Sequence, residues 1–157
     1  MTASPLGPLL SRTHTLFHRA AEKALQAMDL GVAGYAALRA LAVDGDASGA
    51  ELARRCGVTP QAMHPVLVRM KKKAWVRTEP GKGRRHVVSI TAAGLRAHDS
   101  AWARVQRAEL ALLANFEPAE VENLVLTLRR LQQAPSRDLE RTVEDRNEEP
   151  LEPTSPS

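Results

Sequence analysis

The sequence predicts a mainly α fold, six helices interrupted by one small β-hairpin, and three observations carry that prediction. Apolar residues recur at intervals of three and four along most of the first 133 positions, the period of helices with one buried side. The texture changes once, at WVRTE (75–79) and RRHVVSI (84–90), two β-rich runs joined by PGKG, which continues neither. Residues that start helices, Ser48, Thr59, Thr91 and Glu117, stand directly before apolar-periodic stretches.

In chain order, Leu9, Leu16, Phe17, Ala20, Ala24 and Met28 place a first helix over about 8–28, and Gly31 breaks it. Val32 to Leu41 supplies a second, with Tyr35, Leu38 and Leu41 inward, closed by the DGD turn at 44–46. Ser48-Gly-Ala-Glu51 has the Ser-x-x-Glu form of a capping box and opens a short third helix that stops near Cys56-Gly57. The fourth is TPQAMHPVLVRMKKK (59–73). Thr59 caps it, Pro60 takes the first helical position where a missing N–H costs nothing, and Met63, Val66, Leu67 and Met70 form one buried stripe. After the hairpin, Thr91 caps a long fifth helix with Leu95, His98, Trp102, Val105 and Leu112 on one face. Glu117-Pro118-x-Glu120 starts the sixth, striped by Val121, Leu124, Val125, Leu128 and Leu131. Residues 134–157 hold four prolines and few apolar side chains, the composition of a disordered tail.

Charge narrows the function. The chain carries 22 basic and 18 acidic residues, but seven acids and only three arginines fall in 134–157, so residues 1–133 hold 19 bases against 11 acids. Within 51–91 the ratio is ten to two, the electrostatic footprint of a polyanion partner. Aromatic content of 3% argues against a large aromatic-lined substrate pocket. A single cysteine, Cys56, excludes an intramolecular disulfide and a multi-cysteine zinc cluster. No run approaches the roughly 18 apolar residues that cross a membrane. The N-terminus lacks the order of a signal peptide, so the expected location is the cytoplasm. No nucleophile elbow, Gly-rich phosphate loop or pair of acids marks a catalytic site; neither an enzyme nor a cofactor is expected.

Two short helices joined by a glycine-containing turn, the second polar outward, make a helix-turn-helix, and the hairpin directly after makes it a winged one. In that order of elements the chain resembles the MarR family of bacterial transcriptional regulators. The residues that carry the resemblance are ELARRCGVTPQAM (51–63), RMKKKAWVRTE (69–79) and RRHVVSITAAG (84–94), within a match over about 8–133. The resemblance implies a DNA-binding lobe over about 31–91 and dimerisation helices over about 8–28 and 91–133. It also implies an obligate homodimer on a pseudo-palindromic duplex and, often, a small-molecule effector that releases the DNA.

Helical geometry assigns the DNA-facing residues. With the 63/66/67/70 stripe inward, Gln61, His64, Pro65, Val68, Arg69 and Lys72 point outward. Gln61 suits adenine N6/N7 and Val68 a thymine methyl, with His64 beside them; Thr59, Arg69 and the lysines, Lys72 among them, suit phosphates, which position without reading sequence. Arg84 or Arg85 at the hairpin tip fits an adjacent narrow minor groove. Two positions depart from the pattern that the resemblance implies. Lys82 stands where relatives usually carry the aspartate that tethers the wing arginine, leaving a cationic tip with less specific phosphate contact. Pro65 stands where relatives carry a polar or basic contact, and inside a helix it costs about 3 kcal/mol unless the helix bends or restarts.

The resemblance further implies an effector pocket walled by the first and fifth helices and a ligand of phenolic or carboxylate chemistry, which Arg12, His18 and His98 are placed to meet. The bland alternative is a solvated Arg12 and a satisfied core His98. His14 and His18 lie at i and i+4, half a zinc site with no nearby Cys or carboxylate pair to complete it, so no metal is assigned. Cys56, next to Arg54 and Arg55, is expected to be a buried structural thiol, with a redox switch as the weaker reading. The reading is thus a sequence-specific regulator of duplex DNA, a repressor released by a small aromatic acid. Its alternatives are a metal- or redox-responsive regulator and a winged-helix module that binds DNA without sequence preference.

Overall fold

A computed structural model of the protein describes residues 6–81 and 86–133. The expected disordered tail and the hairpin-tip residues Lys82, Arg84 and Arg85 lie outside the described residues. The helices are α1 (Leu6–Leu25), α2 (Val32–Asp44), α3 (Gly49–Arg55), α4 (Pro60–Lys72), α5 (Ala92–Leu112) and α6 (Pro118–Gln132). The strands are β1 (Ala47–Ser48), β2 (Val76–Pro80) and β3 (His86–Ile90). The chain divides into two units, one ending at Ala114 and one beginning at Asn115.

In the first unit the core is aliphatic and small-residue-rich, with Leu25, Leu38, Leu52, Met63 and Met70 fully buried. Local signals set most boundaries. Thr59 Oγ1 accepts from Ala62 N at 3.1 Å and Thr91 Oγ1 from Gly94 N at 3.0 Å, the capping bonds expected of both threonines. The first helix gives way after Leu25 to a 3₁₀ turn over Gln26–Met28, and it stops at Asp29, whose φ is 48°. Gly31 is therefore not the breaker: it is the N-cap of α2, with extended backbone. Since glycine has no side chain to cap with, Glu22 of α1 takes the role, its Oε1 accepting from Val32 N at 2.8 Å.

Two expectations need correction, and a third, the hairpin, forms as expected but gains a strand. Ser48 does cap α3, accepting from Glu51 N, but Glu51 does not reach back; its carboxylate is held by Arg54 and Arg55, so only half of the capping box forms. The hairpin is joined by a third strand, β1, which pairs with β3 through Ala47↔Val88 and Ser48↔Val87 and gives the antiparallel order β1-β3-β2. The buried side of α5 is Gly94, Ala97, Ala101 and Val105, whereas Leu95 and Trp102 are each 43% exposed. Small residues face inward there because α5 approaches its neighbours closely. A Cβ on Gly94 would press into the Trp75 carbonyl and stand 2.7 Å from Ile90 Cγ1.

Apolar surface is left over on α1. Leu9 and Leu16 of the expected stripe are exposed, and the buried residue of that helix is Leu25. In the second unit, Glu117 and Glu120 close a complete capping box at the start of α6, and Leu124, Val125, Leu128 and Leu131 are all exposed.

Candidate nucleic-acid interface

The two helices of the helix-turn-helix are set by a short turn in which Gly57 takes φ 66° and Val58 N–H donates to Ala53 O at 3.0 Å. Leu52 and Ala53 of α3 and Met63, Val66 and Met70 of α4 are buried, which fixes the rotation of α4. Leu67 is partly buried. The opposite side is open: Gln61, His64, Pro65, Val68, Arg69, Lys71 and Lys72 are all exposed. The six residues expected on this face are among them, with Lys71 added. Thr59 is exposed beside the N-terminus of α4, where free N–H groups and the helix dipole favour an anion. Despite Pro65, α4 runs unbroken to Lys72, so the missing N–H at Pro65 is absorbed without a restart.

The cations of this surface are not equivalent. Arg54 and Arg55 share Glu51, at 2.7 Å and 3.0 Å, and together hold its carboxyl below the ordinary carboxylate range. Arg77 pairs with Glu79 at 3.2 Å. Lys73 is turned inward: its Nζ donates to Met28 O at 2.9 Å and Asp29 O at 3.0 Å, and pairs with Asp29 Oδ2 at 3.0 Å. Its expected role as a third phosphate lysine is therefore corrected; a side chain with three donors has none left for a phosphate. Arg69, Lys71 and Lys72 make no ion pair among the described residues. Arg69 also lines an open hollow of about 570 Å³ with Glu22, Lys23, Gln26, Asp29, Leu30 and Gly31.

The wing rises from β2 and β3, paired from Val76↔Ile90 to Pro80↔His86. His86 is exposed at the upper end of β3 and lines a second open hollow with Ser48, Gly49, Glu51, Arg54 and Arg55. Sequence pattern alone does not single it out: a histidine directly after two arginines reads as part of the strand.

Arg12 is exposed on α1, and His18 Nε2 stands 3.9 Å from Glu22 Oε1. His98, with its side chain 16% exposed, binds Asp99 through Nδ1 at 3.0 Å and stacks on Tyr35 with ring centroids 6.5 Å apart. Burial, opposed by Arg39 and aided by Glu109, raises the Tyr35 hydroxyl above its ordinary pKa. The rings of His14 and His18 are 5.9 Å apart, and among the described residues no three His, Cys, Asp or Glu side chains are placed to hold a metal. Cys56 is partly buried, and burial raises its thiol pKa despite Arg55, the reverse of what a thiolate switch requires. Among the described residues no helix is long and apolar enough to cross a membrane.

Comparison with known proteins bears on this surface directly. The family model described as MarR family matches residues 28–86, which span α2 to the start of β3. The HTH-type transcriptional repressor Rv2887 of Mycobacterium tuberculosis is 31% identical over 130 residues, covering 82% of this chain and 94% of its own. Its crystal structure in complex with DNA superposes with a TM-score of 0.71 at 30% identity, over 82% of this chain and 98% of that one. Its complex with salicylic acid gives a TM-score of 0.71 at 30% identity, over 83% and 98%.

Proposed function

The chain belongs to the MarR family of transcriptional regulators, and from that premise we propose that it is a homodimeric transcriptional repressor that binds duplex DNA sequence-specifically and is released from it by a small aromatic acid. One observation carries the DNA reading: α4 is capped and unbroken, and its outer side holds Gln61 and His64 near its start and Arg69, Lys71 and Lys72, unpaired among the described residues, toward its end. The N-terminal residues of such a helix meet base edges, and the cations nearer its end grip phosphate. In the proposed complex Thr59, Arg69 and Lys72, with Lys82, Arg84 and Arg85 of the wing tip, hold the backbone, and Gln61 and His64 read bases. The dimer is supported by the leftover apolar surface of α1 and, separately, of α6, which a second copy would cover. A two-fold dimer then presents two α4 helices to successive major grooves about 34 Å apart.

The effector reading rests on the relative that binds salicylic acid and on Arg12, His18 and His98 as the groups proposed to meet a carboxylate or phenolate in the assembled dimer. Such a ligand releases DNA only to the extent that it prefers the DNA-free arrangement, and DNA weakens the ligand by the same factor. The test is selection of duplexes from a random-sequence pool, followed by titration of the selected duplex with salicylate. Gln61→Ala should weaken the selected duplex by about 1–3 kcal/mol and random DNA little. Equal losses on both would make Gln61 a phosphate contact, and no enriched sequence would favour a module that binds DNA without preference.

A further inference from the structure

The third lysine of the run after α4 is spent inside the protein, and its partners lie 44 and 45 residues away, at the end of the first helix. An ammonium has three protons, and the three oxygens at 2.9–3.0 Å from Lys73 Nζ take all of them. The same nitrogen lies over the indole of Trp75, 4.7 Å from the ring centroid. Met28 O and Asp29 O are carbonyls at the C-terminal end of the first helix and its 3₁₀ turn, where a cation is favoured.

Backbone strain marks the same place. Among the described residues Asp29, with φ 48°, and Ala74, with φ 55°, are the two non-glycine residues in the left-handed region. They sit on opposite sides of this one contact. Left-handed alanine has no side-chain bond to favour it and persists where its surroundings over-determine it. Here they do. Thr91 Oγ1 donates to Ala74 O at 2.6 Å, and Thr91 N–H donates to Trp75 O at 3.0 Å. Thr91 is in turn the N-cap of α5, which approaches so closely that Gly94 has no room for a Cβ over the Trp75 carbonyl. Three residues after the recognition helix thus carry the end of α1 on one side and the start of α5 on the other.

We infer that Lys73 is a positioning residue for DNA binding: with Asp29 it clamps the end of α4 to α1, and so sets the angle at which the DNA-reading face is presented. The inference rests on the proposed DNA function for its consequence, and on the Lys73 geometry alone for the clamp. Lys71 and Lys72, exposed and unpaired among the described residues, are the phosphate contacts of the run.

The test uses the full chain and the duplex that the wild-type protein selects. Lys73→Met keeps an aliphatic stem over Trp75 and removes the ammonium. It should weaken binding at least several-fold while leaving the slope of log K against log salt unchanged. Lys72→Ala should flatten that slope by about 0.9 for each lost phosphate contact. With the half-sites moved one base pair apart, Lys73→Met should lose most of the wild-type preference for the native spacing, because its lobes no longer hold one angle. Asp29→Asn, which tolerates the left-handed backbone and leaves the Met28 and Asp29 carbonyls in place, should shift the spacing preference in the same direction by less, and the double variant should match Lys73→Met alone. A flattened slope at Lys73 would make it a phosphate contact and overturn the inference. So would weakened binding with spacing preference intact, the mark of general destabilisation. Hydrogen exchange on the DNA-free chain separates the two readings. Lys73→Met should speed exchange of the Val32, Trp75 and Thr91 amides at least tenfold while that of Leu38 holds; unchanged rates refute the clamp even where no duplex is selected and the DNA reading itself has failed.

Discussion

Replacing Pro65 by alanine should stabilise the protein. Pro65 is the sixth residue of α4, and the N–H it lacks would have reached the carbonyl of Gln61 one turn back. The side chain is exposed, so its removal opens no cavity and forfeits no buried contact. One restored hydrogen bond contributes about 1 kcal/mol, and the full host difference between proline and alanine inside a helix is about 3 kcal/mol. The expected gain lies between those bounds, because α4 remains helical through Pro65 and part of the clash is already relieved. At about 3 °C per kcal/mol for a domain of this size, the melting temperature should rise by about 3–9 °C. Differential scanning calorimetry at fixed protein concentration measures it, with urea unfolding as a second readout. A neutral or destabilised variant would refute the argument, since it would mean that the ring makes a favourable contact that its exposure denies. The same variant reads out function. Alanine, like proline, has no side-chain donor, so any change in affinity for the selected duplex reports the shape of the ring in the groove.

Two further outcomes follow from particular contacts. Gly94→Ala places a Cβ 2.9 Å from the Trp75 carbonyl carbon and 2.7 Å from Ile90 Cγ1, against backbone that cannot swing aside, so a loss of about 1–3 kcal/mol is expected in urea unfolding; an unchanged midpoint would show that α5 is not held this close. Asp29, through its hydrogen bond and charge contact with Lys73, and Glu51, through Arg54 and Arg55, both have carboxyl pKa values lowered by folding. The folded chain therefore binds fewer protons at these sites than the unfolded one, and their contribution is complete above the ordinary carboxylate values of about 4 and is lost as pH falls below them. Asp29→Asn with Glu51→Gln should flatten the fall of the urea midpoint below about pH 4; an acid limb as steep as that of the wild type would remove both groups from the account.

What could be read from the sequence was what is local. Thr59-Pro60, Thr91 and Glu117-Pro118-x-Glu120 each decide a helix start within four residues, and all three start where expected. The α4 stripe was legible because its inward residues are large. In α5 the same logic misled, since large residues were assumed to face inward where close packing selects Gly94, Ala97 and Ala101 instead. β1 has no pattern of its own: two residues become a strand only because Val87 and Val88 lie opposite them. The half-formed capping box at Ser48 fails because Glu51 has a better offer from two guanidiniums than from one amide. Each miss is a contact across sequence distance or a competition between partners, and neither leaves a periodic trace.

The three lysines after Met70 show how far a charge count can stand from a charged surface. Successive helical residues turn by about 100°, so Lys71, Lys72 and Lys73 cannot share one direction. Lys71 and Lys72 stay exposed, while Lys73 turns back onto Asp29. The ten basic residues of 51–91 shrink in the same way: Glu51 engages Arg54 and Arg55, Glu79 engages Arg77, and Lys73 serves the clamp. What remains unpaired among the described residues of that segment is Arg69, Lys71 and Lys72, all on the outer side of α4. A basic segment that served only general attraction to polyanions would gain nothing from neutralising its own cations off that face. Pairing them elsewhere, and leaving Arg69, Lys71 and Lys72 free among the described residues, concentrates their positive field on the outer side of α4, which Gln61 and His64 share. That distribution, more than the net charge, is what supports the DNA reading proposed for α4.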